Sequence, residues 1–170
     1  MIIRRSERSD VPAMREIFNE VLRNSNSIYR EEEVTLDERY AWYDEKIEHG
    51  FPLFTALDGE RVIGYAGYGT FRAAQGYRKT VELTIYVDSQ YRGSGIGSKL
   101  METIIDQATT DGFHMMVGAI DAANQPSIDF HKKYGFTEVA RMPEVPLKHD
   151  TWLTLDYLYW LLQLQMIFSL

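Results

Sequence analysis

The sequence predicts a single domain of the α/β class, because strand and helix patterns alternate along its 170 residues. Residues 80–87 are rich in β-branched and aromatic side chains, which favours a strand, and residues 98–110 repeat apolar side chains at helical spacing. A glycine-rich segment joins the two. Residues 53–57 and 61–68 flank an Asp-Gly dipeptide, which is typical of the turn of a β-hairpin. Together these stretches predict a sheet packed against helices.

The N-terminal third is predicted to hold a short strand and two helices. The strand begins at Ile2, and a first helix follows with Pro12 in its first turn. The apolar residues of this helix recur at helical spacing: Met14, Ile17, Phe18, Val21 and Leu22. A second helix is predicted over residues 36–48, with Thr35 as its cap and Gly50 beyond its end. Its apolar stripe consists of Tyr40, Tyr43 and Ile47.

The second arm of the predicted hairpin contains three glycines, Gly64, Gly67 and Gly69. Glycine inside a strand weakens it and often marks a bulge or the close approach of a ligand. These residues therefore predict either β-bulges or a ligand near the main chain. Residues 71–79, which follow the hairpin, are predicted to form a loop.

The C-terminal half is predicted to contain three more strands and one short helix. The helix begins at Asn124 and ends at Gly135, a typical C-terminal cap. The predicted strands are residues 115–120, 136–141 and 152–160. Residues 1–170 thus form one predicted domain, of which residues 160–170 are an apolar tail.

The apolar C-terminal stretch of residues 151–170 invites comparison with a membrane span. Asp156 lies inside it together with Gln163 and Gln165, and a charged residue in the middle of a membrane helix is costly. The favoured interpretation is a final strand and a tail that packs on the core or on a partner. No membrane association is predicted.

Composition and charge argue against several function classes. The formal net charge of −7 lacks the basic footprint of a nucleic-acid-binding protein, so no such partner is expected. The chain has no cysteine, which excludes disulfides, thiolate zinc sites and a cysteine acyl-enzyme. No His-Glu metal motif occurs, and no metal is predicted. The first residues lack an apolar signal region, which favours a cytoplasmic protein.

The segment between the strand of residues 80–87 and the next helix is the main functional signal. It contains Gly93, Gly95 and Gly97. Glycine lets a ligand approach the main chain, and the free N–H groups at a helix start attract an anion. The spacing matches neither the G-x-G-x-x-G nor the G-x-x-x-x-G-K-[ST] phosphate motif. It predicts a pyrophosphate site built of main chain, the alternative being a glycine-rich connection without a ligand.

Two side chains are candidates for acid–base chemistry. Glu82 lies on the strand before the glycine-rich segment and can draw a proton from an amine, directly or through a water. His131 lies in the predicted short helix and can protonate a leaving thiolate, since histidine titrates near neutrality. A salt-bridged strand glutamate and a packed histidine are the structural alternatives.

These motifs resemble the GCN5-related N-acetyltransferase superfamily. The pattern Q/R-x-x-G-x-G occurs in two registers, beginning at Gln90 and at Arg92, and resembles that superfamily's coenzyme A pyrophosphate loop. Residues 124–136 are similar to its Asn-to-Gly-Phe motif, with His131 where many members carry a tyrosine acid. This histidine, together with the Thr-Val-Glu run that ends at Glu82, is similar to the phosphinothricin and methionine-sulfoximine acetyltransferase group. The resemblance covers about residues 1–160.

The resemblance implies a mixed, mostly antiparallel sheet with helices on both faces and coenzyme A between two splayed parallel strands. Glu82 would be the base and His131 the acid. The implied acetyl-CoA contacts are Ile85, Tyr86, Val87, Arg92, Gly93, Ser94, Gly95, Ile96, Gly97, Ser98, Asn124 and Lys133. The implied substrate-binding residues are Tyr29, Glu32, Arg72, Tyr77 and Arg78. The two arginines suit anionic groups because a guanidinium pairs with them in a bidentate manner.

The implied function is acetyl-CoA-dependent N-acetylation of a small amino acid or analogue by direct attack, without an acyl-enzyme. Glu33 and residues 145–148 depart from the group's pattern and leave the exact acceptor open. One alternative acceptor is a peptide N-terminus, a lysine or a polyamine, which the acidic charge would suit. The other alternative is a non-catalytic acyl-CoA-binding sensor. A homodimer is expected, because the group is often dimeric.

Overall fold

The computed structural model describes residues 1–162, so the predicted apolar tail lies outside the described residues from position 163 onward. Four α-helices occur in this range: α1 (Val11–Asn24), α2 (Leu36–Glu48), α3 (Ile96–Thr110) and α4 (Gln125–Lys133). Nine strands occur in it: β1 (Ile2–Arg5), β2 (Leu53–Asp58), β3 (Arg61–Thr70), β4 (Thr80–Val87), β5 (Met115–Asp121), β6 (Thr137–Met142), β7 (Leu147–Lys148), β8 (Thr151–Trp152) and β9 (Leu155–Leu161). None of these helices is both long and apolar enough to cross a membrane.

Seven of the strands form one sheet in the order β1-β2-β3-β4-β5-β9-β6. Every neighbouring pair among these strands is antiparallel except β4 and β5, which run parallel. The small strands β7 and β8 form a separate hairpin. The sheet is therefore mixed and mostly antiparallel, as predicted.

The parallel pair is joined over only part of its length. Residues 80–82 of β4 pair with residues 115–117 of β5, and the described pairing stops there. Residues 83–87 continue along β3, whereas residues 118–121 continue along β9. Because each strand follows its other neighbour, the two separate and leave an opening in the middle of the sheet. This confirms the prediction of splayed parallel strands.

Helices cover both faces of the sheet. Side chains alternate between the two faces along each strand, so residues of one strand pack against both helical layers. Val81 of β4 packs with Leu100 and Ile104 of α3 in the main core. Tyr86 of the same strand packs against the other helical layer, in the cluster of Met14 from α1 and Tyr65 from β3. The opening between β4 and β5 is thus bounded by a helical layer on either side.

The bounds of α2 match the predicted range, and its capping explains the start. Thr35 Oγ1 accepts a hydrogen bond from the Glu38 N–H at 3.2 Å, and Glu38 accepts one from the Thr35 N–H at 2.7 Å. The predicted stripe is partly wrong. Ile47 is 50% exposed, whereas Arg39, which was not predicted to be inside, is only 5% exposed. The helix therefore buries a charged residue on the face that packs on the sheet.

The glycines of β3 accommodate neighbouring protein atoms. A bulge in the β2–β3 register lies beside Gly64, as predicted. A Cβ atom on Gly67 would lie 2.6 Å from the Pro52 carbonyl oxygen. At Gly69 a Cβ would overlap the ammonium of Lys46. Two of the three glycines thus make room for main chain or for a lysine side chain of α2.

The prediction of one strand over residues 152–160 is confirmed for residues 155–160, which belong to β9, but Trp152 belongs to the preceding β7–β8 hairpin. His149 and Asp150 connect β7 to β8 with φ angles of 47° and 55°. This conformation is typical of a two-residue hairpin turn, which usually carries Asn or Gly. The His-Asp pair gave no such signal.

The hairpin is anchored by Lys148, which is 3% exposed. Its Nζ donates to the carbonyl oxygens of Leu22 at 2.8 Å and Ser25 at 2.7 Å. These carbonyls lie at the C-terminal end of α1, where helical acceptors lack partners and a positive charge is favourable. The hairpin therefore fixes the end of α1 and the segment that follows it.

Candidate active site

A cleft of about 570 Å³ occupies the opening between β4 and β5. The splayed strand ends, residues 83–87 and 118–121, form its walls. The segment after α1, residues 25–27, and the start of α4 close it at the sides. The cleft is thus the consequence of the strand separation.

The glycine-rich segment lies at the end of β4 and begins α3. Gly93 and Gly95 have φ angles of 78° and 85°, which favour glycine strongly over other residues. The first α3 hydrogen bond runs from the Lys99 N–H to the Gly95 carbonyl oxygen at 3.2 Å. The N–H groups of Ile96, Gly97 and Ser98 therefore lack acceptors within the helix. A helix start with such free N–H groups is suited to an anion, and this one follows Arg92, which lines the cleft.

Several other predicted donor contacts lie at the cleft. Ile85, Tyr86 and Val87 line it, and so does Arg92, whose Nε donates to the Val87 carbonyl oxygen at 3.4 Å. Asn124 also lines it. Its side chain caps α4 by accepting from the Ser127 N–H at 3.2 Å and donates to Ser27 Oγ at 3.0 Å. The remaining predicted contacts, Ser94 and Lys133, are exposed.

His131 faces the cleft from α4 and is 3% exposed. Its Nδ1 lies 2.7 Å from the Ser127 carbonyl oxygen and therefore carries a proton. Nε2 is buried without a hydrogen-bond partner among residues 1–162. Burial lowers the pKa of His131, although the Ser127 hydrogen bond acts in the opposite direction. The ring thus favours its neutral form, with a proton on Nδ1 and none on Nε2.

Glu82 lies at the last paired position of β4, where the strands begin to separate. It is half-buried and does not line the cleft itself. Burial raises the pKa of Glu82, and the positive charges of Lys46 and Arg72 oppose this rise. A carboxylate with a raised pKa next to an open strand is suited to accept a proton near neutral pH.

The predicted substrate-side residues come from two segments. Tyr29 follows α1, and burial raises its pKa to about 12, with smaller effects from Asp121 of β5 and from Tyr157 and Asp156 of β9. Tyr77 lies in the loop between β3 and β4, with its ring 5.8 Å from that of Phe71. Phe71 lies 6.4 Å from Tyr157 of β9. Aromatic rings from three parts of the chain therefore border this side.

The charged members of the predicted set are exposed, as are Tyr29 and Tyr77. Arg72 is exposed, and its guanidinium lies 5.2 Å from the Phe71 ring centre. Arg78 is also exposed and donates to the Gln75 carbonyl oxygen at 3.2 Å. Glu32 is exposed as well. Arg72 is coupled electrostatically to Glu82, whereas the structure shows no such link for Arg78 or Glu32 within residues 1–162.

The sequence profile of the Acetyltransferase (GNAT) family matches residues 11–136. The chain belongs to this family. The match spans the strand β4, the glycine-rich segment and the helix that carries His131. The separated strands and the anion-binding helix start are therefore found within the matched part of the chain.

Three relatives illustrate the similarity of this acetyltransferase to known proteins. An L-methionine sulfoximine/L-methionine sulfone acetyltransferase from Pseudomonas paraeruginosa is 38% identical over 151 residues, which is 88% of each chain. A phosphinothricin acetyltransferase from Sinorhizobium meliloti, solved with acetyl-CoA, has a TM-score of 0.90 and 30% identity and covers 94% of this chain and 87% of its own. A ribosomal-protein-alanine N-acetyltransferase from Brucella melitensis has a TM-score of 0.93 and 35% identity, covering 95% and 99%.

The comparisons confirm the predicted superfamily, fold and enzyme class, with acetyl-CoA as the acyl donor. No group of three or more His, Cys, Asp or Glu residues that could hold a metal ion occurs within residues 1–162.

Sequence reasoning missed three side chains near this site. Lys46 of α2 is coupled to Glu82, and Tyr157 of β9 borders the aromatic side. Arg39 of α2 lies 3.6 Å over the Trp42 ring and donates to Tyr65 Oη at 2.6 Å. None of these residues belongs to a motif. Only the helical spacing of Arg39, Trp42 and Lys46, which places them near one another on α2, was available as a signal.

Proposed function

We propose that this protein transfers the acetyl group of acetyl-CoA to the amino group of a small amino acid or analogue of the methionine sulfoximine or phosphinothricin type. The amine attacks the thioester carbonyl directly, so the carbon–nitrogen bond forms and the carbon–sulfur bond breaks without an acyl-enzyme. The observation that carries the proposal is the separation of β4 from β5, which opens one cleft beside the helix start, Glu82 and His131.

The acyl donor is proposed to lie in the cleft with its pyrophosphate at the start of α3. The free N–H groups of residues 96–98 and the open space around Gly93 and Gly95 support this placement. Beyond Glu82, the edge of β4 that faces β5 is unpaired within the described chain. Main-chain N–H groups on this edge are suited to hold the thioester oxygen as it gains negative charge. Asn124, Arg92 and Lys133 complete the proposed contacts.

Glu82 is proposed as the base that takes the proton from the amine, directly or through a water. Burial supports this role because it raises the pKa of Glu82 toward neutrality. His131 is proposed as the acid for the leaving thiolate, and this role is supported by its place in the cleft lining and by its Nε2, which has no hydrogen-bond partner among residues 1–162. Since Nδ1 keeps its proton on Ser127, the acid is the doubly protonated ring. A low pKa restricts that form to the acidic side of neutrality, so a bell-shaped pH profile is expected.

The amino-acid acceptor is proposed to bind on the side of Glu82 that faces α2 and the β3–β4 loop. Arg72 and Arg78 would pair with the carboxylate and the side-chain oxygens, and Tyr29, Tyr77 and Glu32 would complete the site. The coupling of Arg72 to Glu82 supports this placement. So does the name of the Pseudomonas relative, which is an acetyltransferase for methionine sulfoximine and sulfone.

The experiment is a thiol-release assay with acetyl-CoA and a panel of acceptors: methionine sulfoximine, methionine sulfone, phosphinothricin, the common amino acids, spermidine and a peptide with an N-terminal alanine. We expect release of the coenzyme A thiol with methionine sulfoximine, methionine sulfone or phosphinothricin. Release with the peptide alone would favour a second function, to which the Brucella relative points because it is named for ribosomal-protein alanine. Acetyl-CoA binding without release on any acceptor would contradict both functions and favour a sensor.

A homodimer in the cytoplasm completes the proposal. The edge strand β6 pairs only with β9 in the described chain, and it presents Val139, which is 62% exposed. Trp152 of the nearby C-terminal hairpin region is 57% exposed. Apolar side chains in such positions are suited to an interface. Size-exclusion chromatography with light scattering tests the dimer, and a monomer at micromolar concentration would contradict it.

A further inference from the structure

Lys46 of α2 reaches the face of the sheet that carries Glu82. Its Nζ donates to the Tyr68 carbonyl oxygen of β3 at 3.2 Å and lies 5.5 Å from the Phe51 ring centre. The side chain is half-buried, and burial lowers the pKa of Lys46 while the charge of Glu82 opposes this effect. Within residues 1–162 this half-buried ammonium forms no ion pair at the protein surface.

Gly69 provides the space that the ammonium of Lys46 occupies. A Cβ atom on Gly69 would overlap Lys46 Nζ. Gly69 is the antiparallel partner of Glu82 in the β3–β4 ladder. Side chains of directly opposite residues lie on the same face, with their Cβ atoms about 5 Å apart. Lys46 Nζ therefore lies on the same face as Glu82 and beside it, while its one hydrogen bond among residues 1–162 goes to the Tyr68 carbonyl oxygen.

We propose that Lys46 is a positioning residue for Glu82: its ammonium occupies the gap at Gly69 and stabilises the charged form of the Glu82 carboxylate beside the acceptor site. The inference rests on the proposed role of Glu82 as the base. It assigns to Lys46 and Gly69, which lie 23 residues apart in sequence, a joint function that neither motif nor family profile indicates.

The other charges around Glu82 are few. Arg72 of the β3–β4 loop is the second cation coupled to it, and Tyr86 is the titratable neighbour on the same strand. The positive charge of Arg39 on α2 contributes to lowering the pKa of Lys46. From β5, the partner of Glu82 is the apolar Val117. Arg72 is exposed, so solvent screens it more than the half-buried Lys46. Lys46 is therefore the stronger of the two cations that favour the charged form of Glu82 against the effect of burial.

The test compares the wild-type protein with Lys46→Met, Lys46→Arg and Gly69→Ala. A general base works only when it is deprotonated. Activity is therefore lost as the pH falls through the pKa of the Glu82 carboxyl group. Without the lysine charge, protonation of Glu82 becomes easier. We expect the acidic limb of kcat/KM in Lys46→Met to move to higher pH by about one pH unit, which is roughly a tenfold loss below the limb. Lys46→Arg keeps the limb in place, and Gly69→Ala moves it in the same direction by less.

A second readout uses the free protein without substrates. The carboxyl carbon of Glu82, labelled with ¹³C and assigned by its absence in Glu82→Gln, is titrated by NMR in each variant. We expect its transition to shift upward in Lys46→Met together with the kinetic limb. This measurement also remains informative if turnover of a variant is too slow to follow.

Two outcomes would overturn the inference in different ways. If the Lys46→Met protein is folded and both its limb and the Glu82 transition match the wild type, Lys46 has only a structural role. If Glu82→Gln retains full activity and the acidic limb, Glu82 is not the base, and the proposed function fails at this residue before Lys46 is considered.

Discussion

The acyl-donor side and the acceptor side of the proposed site are built from different chemical groups. The proposed donor side consists of main-chain groups, namely the glycine turns, the first N–H groups of α3 and the free edge of β4. The proposed acceptor side consists of side chains from α2, the β3–β4 loop and β9, with Lys46, Arg72 and Tyr157 as examples. A main-chain site can accept the same donor in many relatives, whereas a side-chain site can change its acceptor through a few substitutions.

The largest effect is expected from Glu82→Gln, which changes only the acceptor side. Loss of the base should lower kcat by about 10²–10⁴-fold. The affinity for acetyl-CoA, measured by isothermal titration calorimetry, should stay within twofold of the wild type if the two sides are independent. Glu102→Gln, at an exposed position on α3, is the control and should leave both quantities unchanged. A strong loss of acetyl-CoA affinity in Glu82→Gln would show that the sides are not separable.

Lys148→Met should weaken the donor side from a distance. The substitution removes the charged donor from the Leu22 and Ser25 carbonyls and leaves them buried. We expect the free energy of unfolding to fall by about 2 kcal/mol, as measured by urea denaturation. Acetyl-CoA affinity should fall too, because residues 25–27 border the cleft.

The control for this substitution is Lys132→Met. Lys132 forms an exposed ion pair with Glu138 at 2.9 Å, and its loss should cost less than about 1 kcal/mol. Equal effects of the two substitutions would contradict the anchoring role of Lys148.

Gly95→Val tests the main-chain character of the donor side. Valine at a φ of 85° is strained, and at least about 1–2 kcal/mol is needed to keep the turn. We expect roughly tenfold weaker acetyl-CoA binding, or more if the side chain blocks the pyrophosphate position. Gly50→Val is the matched control, since Gly50 has a φ of 73°, has open space around it and lies at the end of α2. It should lower stability without changing acetyl-CoA affinity, and an equal loss of affinity would exclude a specific role for Gly95.

The smallest effect concerns His131, where the two sides meet. Burial keeps the folded-state pKa of His131 below its ordinary value of 6.5. As the pH falls below that value, the unfolded chain takes up the proton first, so the folded protein loses stability. His131→Gln should remove this loss. Between pH 7.5 and 5.5, we expect its Tm to fall by about 2–4 °C less than that of the wild type. Parallel Tm curves would show that His131 is not buried in its neutral form.

Local patterns predicted most of the fold. The ranges of α2 and β4 were predicted correctly, because a capping box and a run of β-branched residues act within the element itself. The β7–β8 hairpin was missed, because its turn uses His149 and Asp150 in a conformation that these residues seldom adopt. What the sequence reasoning lacked there was a turn signal.

The donor side was predictable, and the acceptor side only in part, for the same physical reason. Gly93 and Gly95 act through their own backbone conformation, which a motif records directly. The contact of Lys46 with the gap at Gly69 depends on how α2 lies across β3, and that placement is a property of the packed core. For the same reason, Ile47 is exposed although the apolar stripe predicted it to face the core, and Arg39 is buried. Such residues are found from a structure.

The strand order has a consequence for how the molecule is made on the ribosome. Strand β9 lies between β5 and β6, although it is the last of the described strands to be synthesised. Until it emerges, β6 has no partner in the sheet and β5 is attached to β4 through only three residue pairs. Strands β1 to β4 can pair while the chain is still growing. The opposite wall of the cleft, formed by β5, is completed only when β9 has been synthesised. A chain truncated before β9 would be inactive and would leave the edges of β5 and β6 unpaired and prone to aggregation.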